Sequence, residues 1–296
     1  MKISLAWWNT SLSPTKKPNR ASPLEKTMAD GVIAHFIVAN KVEILGLCEV
    51  SAEDITKLKT LCATHGYGLV DGIPTGKGVK LDCCVIYRIS SFKAKATKIV
   101  ATPSTRARKR IGLHIIFEIL STAETLHIFV SHWPSVRWIN KGTAVRLSYG
   151  IDLRKVVSEI WENDPEALLV LMGDYNDEPF DEPLAFNLEA SRDASFVYNK
   201  PKCLYNPFWR RLGCIRGYSR NNSTETYAGT YFYKVDKVDR WRTYDQIIFS
   251  SEFLGRSQWH LDEASVGIVD IPQYTKVVLE KSMIFDHFPI TATIEQ

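Results

Sequence analysis

The chain has 296 residues, 45% of them hydrophobic and 24% charged, which is ordinary soluble globular composition and room for one large domain or two small ones. Lys plus Arg number 37 against 33 Asp plus Glu, a net charge of +4 that does not by itself mark a nucleic-acid binder. No run is long and apolar enough to span a bilayer, so no membrane-spanning helix is expected.

In chain order, residues 2–8 read as a strand ending on Asn9. Their apolar stretch is too short for a signal peptide, and no small-residue cleavage site follows. A polar loop over 11–21 leads to Ser22-Pro23-Leu24-Glu25, a helix start with a capping-box pattern and proline at the first helical position. Leu24, Met28, Val32 and Phe36 recur every four residues and predict its buried face. Residues 42–48 are a second buried strand, delivering Glu49, and 51–64 a helix stopped by Gly66.

A meander follows, with strands predicted at 81–88, 92–100, 111–119 and 126–131. The loop over 72–80 carries three glycines and two lysines. Arg106, Arg108, Lys109 and Arg110 form a basic cluster that suits either a solvated hairpin end or a phosphate contact. The strand at 126–131 ends at His132-Trp133-Pro134, and a helix over 142–163 is expected to bury the pairs Leu147/Ile151, Leu153/Val157 and Val156/Ile160.

Residues 168–172 are five apolar residues in a row, a strand buried on both faces. Gly173 is expected to let the backbone turn there, presenting Asp174 and Asn176 before Pro179 stops any regular continuation. The stretch 201–220 mixes Arg with aromatics, as in Tyr205-Asn206-Pro207-Phe208-Trp209-Arg210-Arg211, and suits either base stacking with phosphate contact or a self-packed loop. Asp245 opens a strand at 244–249, and Asp286-His287 precedes the last strand at 288–294.

There is no internal repeat, low-complexity tract or clear linker, so we expect a single domain over 1–296. The expected fold class is α/β, two sheets packed face to face with helices outside. The six cysteines show no CxxC pairing, which fits a reduced, cytoplasmic protein without a zinc site.

Taken singly, each polar residue has a dull explanation, such as a satisfied histidine or a turn carboxylate. Their repeated placement argues otherwise. Asn9, Glu49, His132 and Asp174/Asn176 each follow an apolar strand, and ligands bind at the carboxyl ends of strands in α/β sheets. If the late strands run antiparallel, Asp245, Asp286 and His287 meet the others on one rim. That set holds the parts for metal-assisted phosphoester hydrolysis. Glu49 and Asp286 offer hard carboxylate oxygens to Mg²⁺, Asp174 can take a proton from water, and Asp245 can hold one nitrogen of His287.

The ordered series Trp8-Asn9, Leu47-Cys48-Glu49-Val50, Ser131-His132-Trp133-Pro134, Gly173-Asp174-Tyr175-Asn176-Asp177, Tyr244-Asp245-Gln246-Ile247 and Phe285-Asp286-His287-Phe288-Pro289 resembles the endonuclease/exonuclease/phosphatase superfamily of DNase I-like fold. Gly229-Thr230-Tyr231, Trp241 and Asp245 resemble its bacterial branch. The resemblance implies a four-layer α/β sandwich and a divalent metal, Mg²⁺ or Mn²⁺. It implies Glu49 as the main metal ligand with Asn9 and Asp286 nearby, and Asp174 positioning water. It implies Asn176 and His132 on the phosphate, His287 stabilised by Asp245, and Arg110 or Arg108 on the substrate. A tyrosine that some DNA-repair relatives place in the site has only Tyr87 as a guess.

The first expectation is therefore a nuclease with nucleic acid as substrate, no membrane and no obligate protein partner. The second is a phosphoesterase acting on small-molecule or lipid phosphates. The third, a catalytically dead binding module, predicts damage in the acid and histidine set, and none of it is missing.

Overall fold

The computed structural model describes residues 1–73, 81–103, 108–213 and 227–296, with only the backbone of Pro103 and Arg108. Most of the glycine-rich loop, Arg106, Cys214 and the end of the Arg/aromatic stretch lie outside these residues.

The first half of the chain runs β1 (Lys2–Asn9), α1 (Pro23–Ala34), β2 (Ile44–Cys48), α2 (Ala52–Thr64), β3 (Tyr67–Asp71), β4 (Cys83–Arg88), β5 (Phe92–Pro103), β6 (Arg108–Ile119) and β7 (Thr125–His132). The second half runs α3 (Ala144–Asn163), β8 (Leu168–Asp174), β9 (Ala190–Ser191), α4 (Ala194–Asn199), β10 (Leu204–Tyr205), β11 (Tyr231–Phe232), β12 (Trp241–Arg242), β13 (Asp245–Ser250), β14 (His260–Ile268), α5 (Pro272–Glu280) and β15 (Ile290–Glu295). One sheet has the order β14-β15-β1-β2-β4-β3, and the other β5-β6-β7-β8-β13-β10-β9.

The two sheets face each other across a core of alternate side chains. Ile3, Leu5 and Trp7 of β1 meet Ile128 and Val130 of β7 and Val170 and Met172 of β8 there. The opposite faces carry the helices. Trp8, Leu45 and Leu47 pack under α1, α2 and α5, while Phe129, Leu169 and Leu171 pack under α3. The fold is the expected four-layer α/β sandwich.

Several local expectations change. The capping box at Ser22 and Glu25 forms, but Leu24 is 66% exposed, and the buried face of α1 starts only at Ala29, Val32 and Ile33. In α3 the buried face is Arg146, Tyr149, Gly150, Leu153 and Val157, and Ile151 faces out. Gly173 makes no turn. It lies within β8, where a Cβ would come 2.3 Å from the Ser131 carbonyl oxygen, so glycine is required by strand approach. β3, β14 and α5 carried no clear sequence signal, since their burial is partial and irregular.

Register places the chemistry. β1 and β2 run parallel and so do β7 and β8, so Asn9, His132 and Asp174 end their strands at one edge. β13 and β15 run antiparallel to these strands, with Asp245 opposite Asp174. Their starts therefore return to the same edge.

Candidate active site

The strand ends open into a cleft of about 550 Å³, lined by Glu49, His132, Asn176, Asp286 and His287 among others. Asp174 sits at its floor, 1% exposed. Its Oδ2 accepts from Asn9 Nδ2 at 3.0 Å and faces two imidazoles, His132 Nε2 at 3.8 Å and His287 Nε2 at 3.7 Å. Its Oδ1 accepts the Asn176 backbone N–H at 2.9 Å. Asn176 takes φ 51°, a left-handed conformation that asparagine tolerates, and its Nδ2 donates to the Trp133 carbonyl at 3.0 Å.

Each imidazole is held from behind by a carboxylate. His287 Nδ1 lies 2.7 Å from Asp245 Oδ2, and Asp245 Oδ1 accepts Trp7 Nε1 at 2.9 Å. His132 Nδ1 lies 2.9 Å from Asp82 Oδ2. Burial opposes charge on His287, but Asp245 and Asp174 outweigh it and push its pKa up to about 10. For His132 burial is likewise outweighed, by Asp82, Asp174 and Glu49, and its pKa stands well above the ordinary value. Asp82 is driven down to about 2, with burial opposing and His132 and Arg110 prevailing.

Asp82 escaped the sequence reading. It precedes β4, which runs antiparallel to β2, so it reaches the rim by the same rule that brings Asp245 there. Arg146 was also missed, lying in a helix read only for its apolar pairs. It is fully buried, and its Nε donates to Asp177 Oδ2 at 2.6 Å. Its other nitrogens donate to the Tyr175 carbonyl at 2.7 Å and to the Pro134 carbonyl. Burial pushes the Asp177 carboxyl up to about 7, with the Arg146 guanidinium pulling against it. Arg146 thereby pins the loop that carries Asn176 to the loop after His132.

Glu49 adopts φ 55°, an uncommon conformation for a residue with a side chain and one that concentrates at functional sites. Burial pushes its pKa up to about 7, with His132 pulling against it and Asp286 and Asp82 adding repulsion. Asp286 accepts Ser11 Oγ at 2.9 Å and lies 3.6 Å from Lys281 Nζ. Two oxygen-donor carboxylates that repel each other at a cleft floor suit a hard divalent cation. Asp174, Asp245 and His287 also offer three ligand atoms within 4.8 Å of one another. Asp245, however, already has one oxygen on Trp7 and the other on His287, so this trio is a hydrogen-bonded relay, and Glu49 is the less committed donor. The Asn9 amide is likewise engaged, with Oδ1 accepting Ser11 N at 3.0 Å and Nδ2 on Asp174.

The structure thus brings together Asn9, Glu49, His132, Asp174, Asn176, Asp245, Asp286 and His287. Arg110 does not line the cleft and acts on it through Asp82. Lys109 pairs with Asp152 at 2.5 Å and with Ser148, so it braces α3. Tyr87 packs on Phe117 in the core, away from the cleft. In the Arg/aromatic stretch Tyr205 and Phe208 are buried, Arg210 pairs with Glu263 at 2.7 Å and Arg211 donates to the Val266 carbonyl, a self-packed loop.

A metal-competent acid and histidine rim on a four-layer α/β sandwich defines a phosphoester hydrolase of the DNase I type. The sequence profile of the Endonuclease/Exonuclease/phosphatase family matches residues 20–271, and the chain belongs to that family. Its members are phosphoester hydrolases that typically use a divalent metal. Among solved structures, D. rerio TDP2 complexed with a single-strand DNA product superposes with a TM-score of 0.65 at 18% identity, covering 100% of this chain and 99% of that one. The human Nocturnin catalytic domain with bound sulfate gives 0.62 at 17%, covering 99% and 94%. A Bacteroides thetaiotaomicron mannosyl-6-phosphatase gives 0.61 at 16%, covering 99% and 100%. At these identities the likeness is one of fold. No curated protein matches the chain by sequence. Among the described residues no helix is long and apolar enough to cross a membrane.

Proposed function

We propose that the chain, as one catalytic domain, is a cytoplasmic Mg²⁺-dependent phosphodiesterase that hydrolyses nucleic acid by in-line attack of water, with Mn²⁺ able to replace Mg²⁺. The observation that carries this reading is the single carboxylate oxygen, Asp174 Oδ2, flanked by two imidazole Nε2 atoms that carboxylates hold from behind.

Asp174 orients the attacking water and accepts its proton. Asn9 fixes the Asp174 carboxylate through its amide N–H. His132 and His287, kept protonated by Asp82 and Asp245, direct N–H donors at the charge that gathers on the phosphoryl oxygens. Asn176 has given one amide hydrogen to Trp133 and has a second for the phosphate. Glu49 and Asp286 are the residues that would hold the cation, which when bound supplies Lewis-acid polarisation of the phosphoryl group. The mildly basic composition and the cationic cleft rim favour a polyanionic substrate.

The test is a substrate panel with Mg²⁺ and Mn²⁺, comprising plasmid, linear duplex, abasic duplex, single-stranded DNA, RNA and small phosphoesters. Nucleic-acid cleavage that stops in EDTA is expected. Turnover of small phosphomonoesters alone would replace the substrate class, and activity persisting in EDTA would remove the metal.

A further inference from the structure

The cleft wall beyond the acid and histidine rim is organised in a way that hydrolysis alone does not require. In β11 Phe232 is turned into the core and Tyr231 to the cleft, and Tyr233, just past the strand, lines the cleft as well. Tyr244, at the buried end, extends them into a row. The Tyr231 ring lies 5.4 Å from Tyr244 at 26° and 6.5 Å from Tyr233 at 14°. The same Tyr231 ring, the middle of the row, stands 4.7 Å from His287, so the row passes directly beside the reacting centre. Rings nearly parallel along a strand form a platform for a planar group.

Two cations close the outer end. The Arg137 guanidinium lies 4.5 Å from the Tyr233 ring centroid, and Lys16 Nζ lies 5.0 Å from that of Trp138. Both line the cleft, and among the described residues neither pairs with a carboxylate. Arg242 on the same cleft differs, being neutralised by Asp239 at 2.6 Å and Asp236 at 3.5 Å. The cleft therefore offers, in order, the reacting centre, an aromatic row and uncompensated positive charge.

We propose that this wall is a nucleotide subsite, in which Tyr231 and Tyr233 stack the base next to the scissile phosphate and Arg137 with Lys16 binds the following phosphate. It rests on the phosphodiesterase reading and deepens it, because it selects single-stranded nucleic acid. In a duplex the bases stack on one another and are not free to lie on a protein ring. A sugar phosphate or aliphatic phosphoester has no ring for the row and leaves the outer cations without a partner.

The test is fluorescence anisotropy in EDTA with a fluorescein-labelled oligothymidylate of about ten nucleotides. Tyr233→Ala is expected to weaken binding about tenfold, and Tyr233→Phe to retain it. Arg137→Gln is expected to weaken binding and flatten its salt dependence. Replacing the bases with abasic residues should erase the difference between wild type and Tyr233→Ala. Should Tyr233→Ala fail to fold, the exposed Arg137 carries the test alone. Equal binding by wild type and both alanine and glutamine variants, equal binding of the abasic strand, or a preference for blunt duplex would overturn the subsite. Magnesium-dependent turnover of bis(p-nitrophenyl) phosphate without oligonucleotide binding overturns it while sparing the phosphodiesterase reading. Base-dependent binding without turnover of any diester supports the subsite and overturns that reading.

Discussion

His132 and His287 at the cleft floor and His114 and His127 on the outer face of the second sheet are all withdrawn from water, and burial opposes charge on each. Their protonation nevertheless goes opposite ways. At the cleft, carboxylates at 2.9 and 2.7 Å outweigh burial and keep the rings protonated. On the outer face the two rings face each other, His114 Nε2 3.0 Å from His127 Nδ1, with Phe129 stacked 4.2 Å from His114. Burial, His127 and Lys98 push His114 down to about 3, and burial lowers His127 against the pull of Asp164. The partner behind the ring, and not its exposure, separates a charged donor from a neutral packing group.

The largest effect that would break this comparison is at the cleft. His287→Ala and Asp174→Asn should each lower kcat for Mg²⁺-dependent cleavage by about 10²–10³-fold or more while the melting temperature stays near wild type. Near wild-type turnover in either variant would take that residue out of the chemistry. Replacing both outer histidines, His114→Phe with His127→Phe, should leave kcat within about twofold, since neither ring touches the cleft.

The carboxylates behind the rings come next. Asp245→Asn and Asp82→Asn should each lower kcat by about 10–100-fold, with the greater loss at Asp245, which also anchors Trp7. An Asp82→Asn enzyme with unchanged kcat would make that pair a structural contact.

The smallest effect concerns stability in acid. His114 binds its proton less readily folded, at about 3, than unfolded, at its ordinary 6.5. The unfolded chain thus takes up more protons in that window, and stability present above pH 6.5 is lost as pH falls toward 3. Urea unfolding across this window should show a loss on the order of a few kcal/mol that the double phenylalanine variant lacks. Parallel pH profiles for the two proteins would refute the assignment.

Much of the fold was legible because it is written in short runs. The apolar stretch at 168–172, the capping box at Ser22 and the polar residue after each strand depend on neighbours within a few positions. The rim set could be read one strand at a time for the same reason. Leu24 and Ile151 were misplaced because an i,i+4 spacing alone does not say which face of a helix, or how much of its length, meets the sheet. Gly173 was misread because its constraint is the Ser131 carbonyl on another strand.

By itself, then, the sequence determined the strands that carry the rim, their chemically equipped ends and the family they compose. Only the tertiary structure decided that Asp82 backs His132, that Arg146 ties together the loops after His132 and Asp174, and that tyrosines from two segments align beside His287. Those are contacts between residues far apart in the chain, set by strand register and by what burial leaves each polar group to pair with.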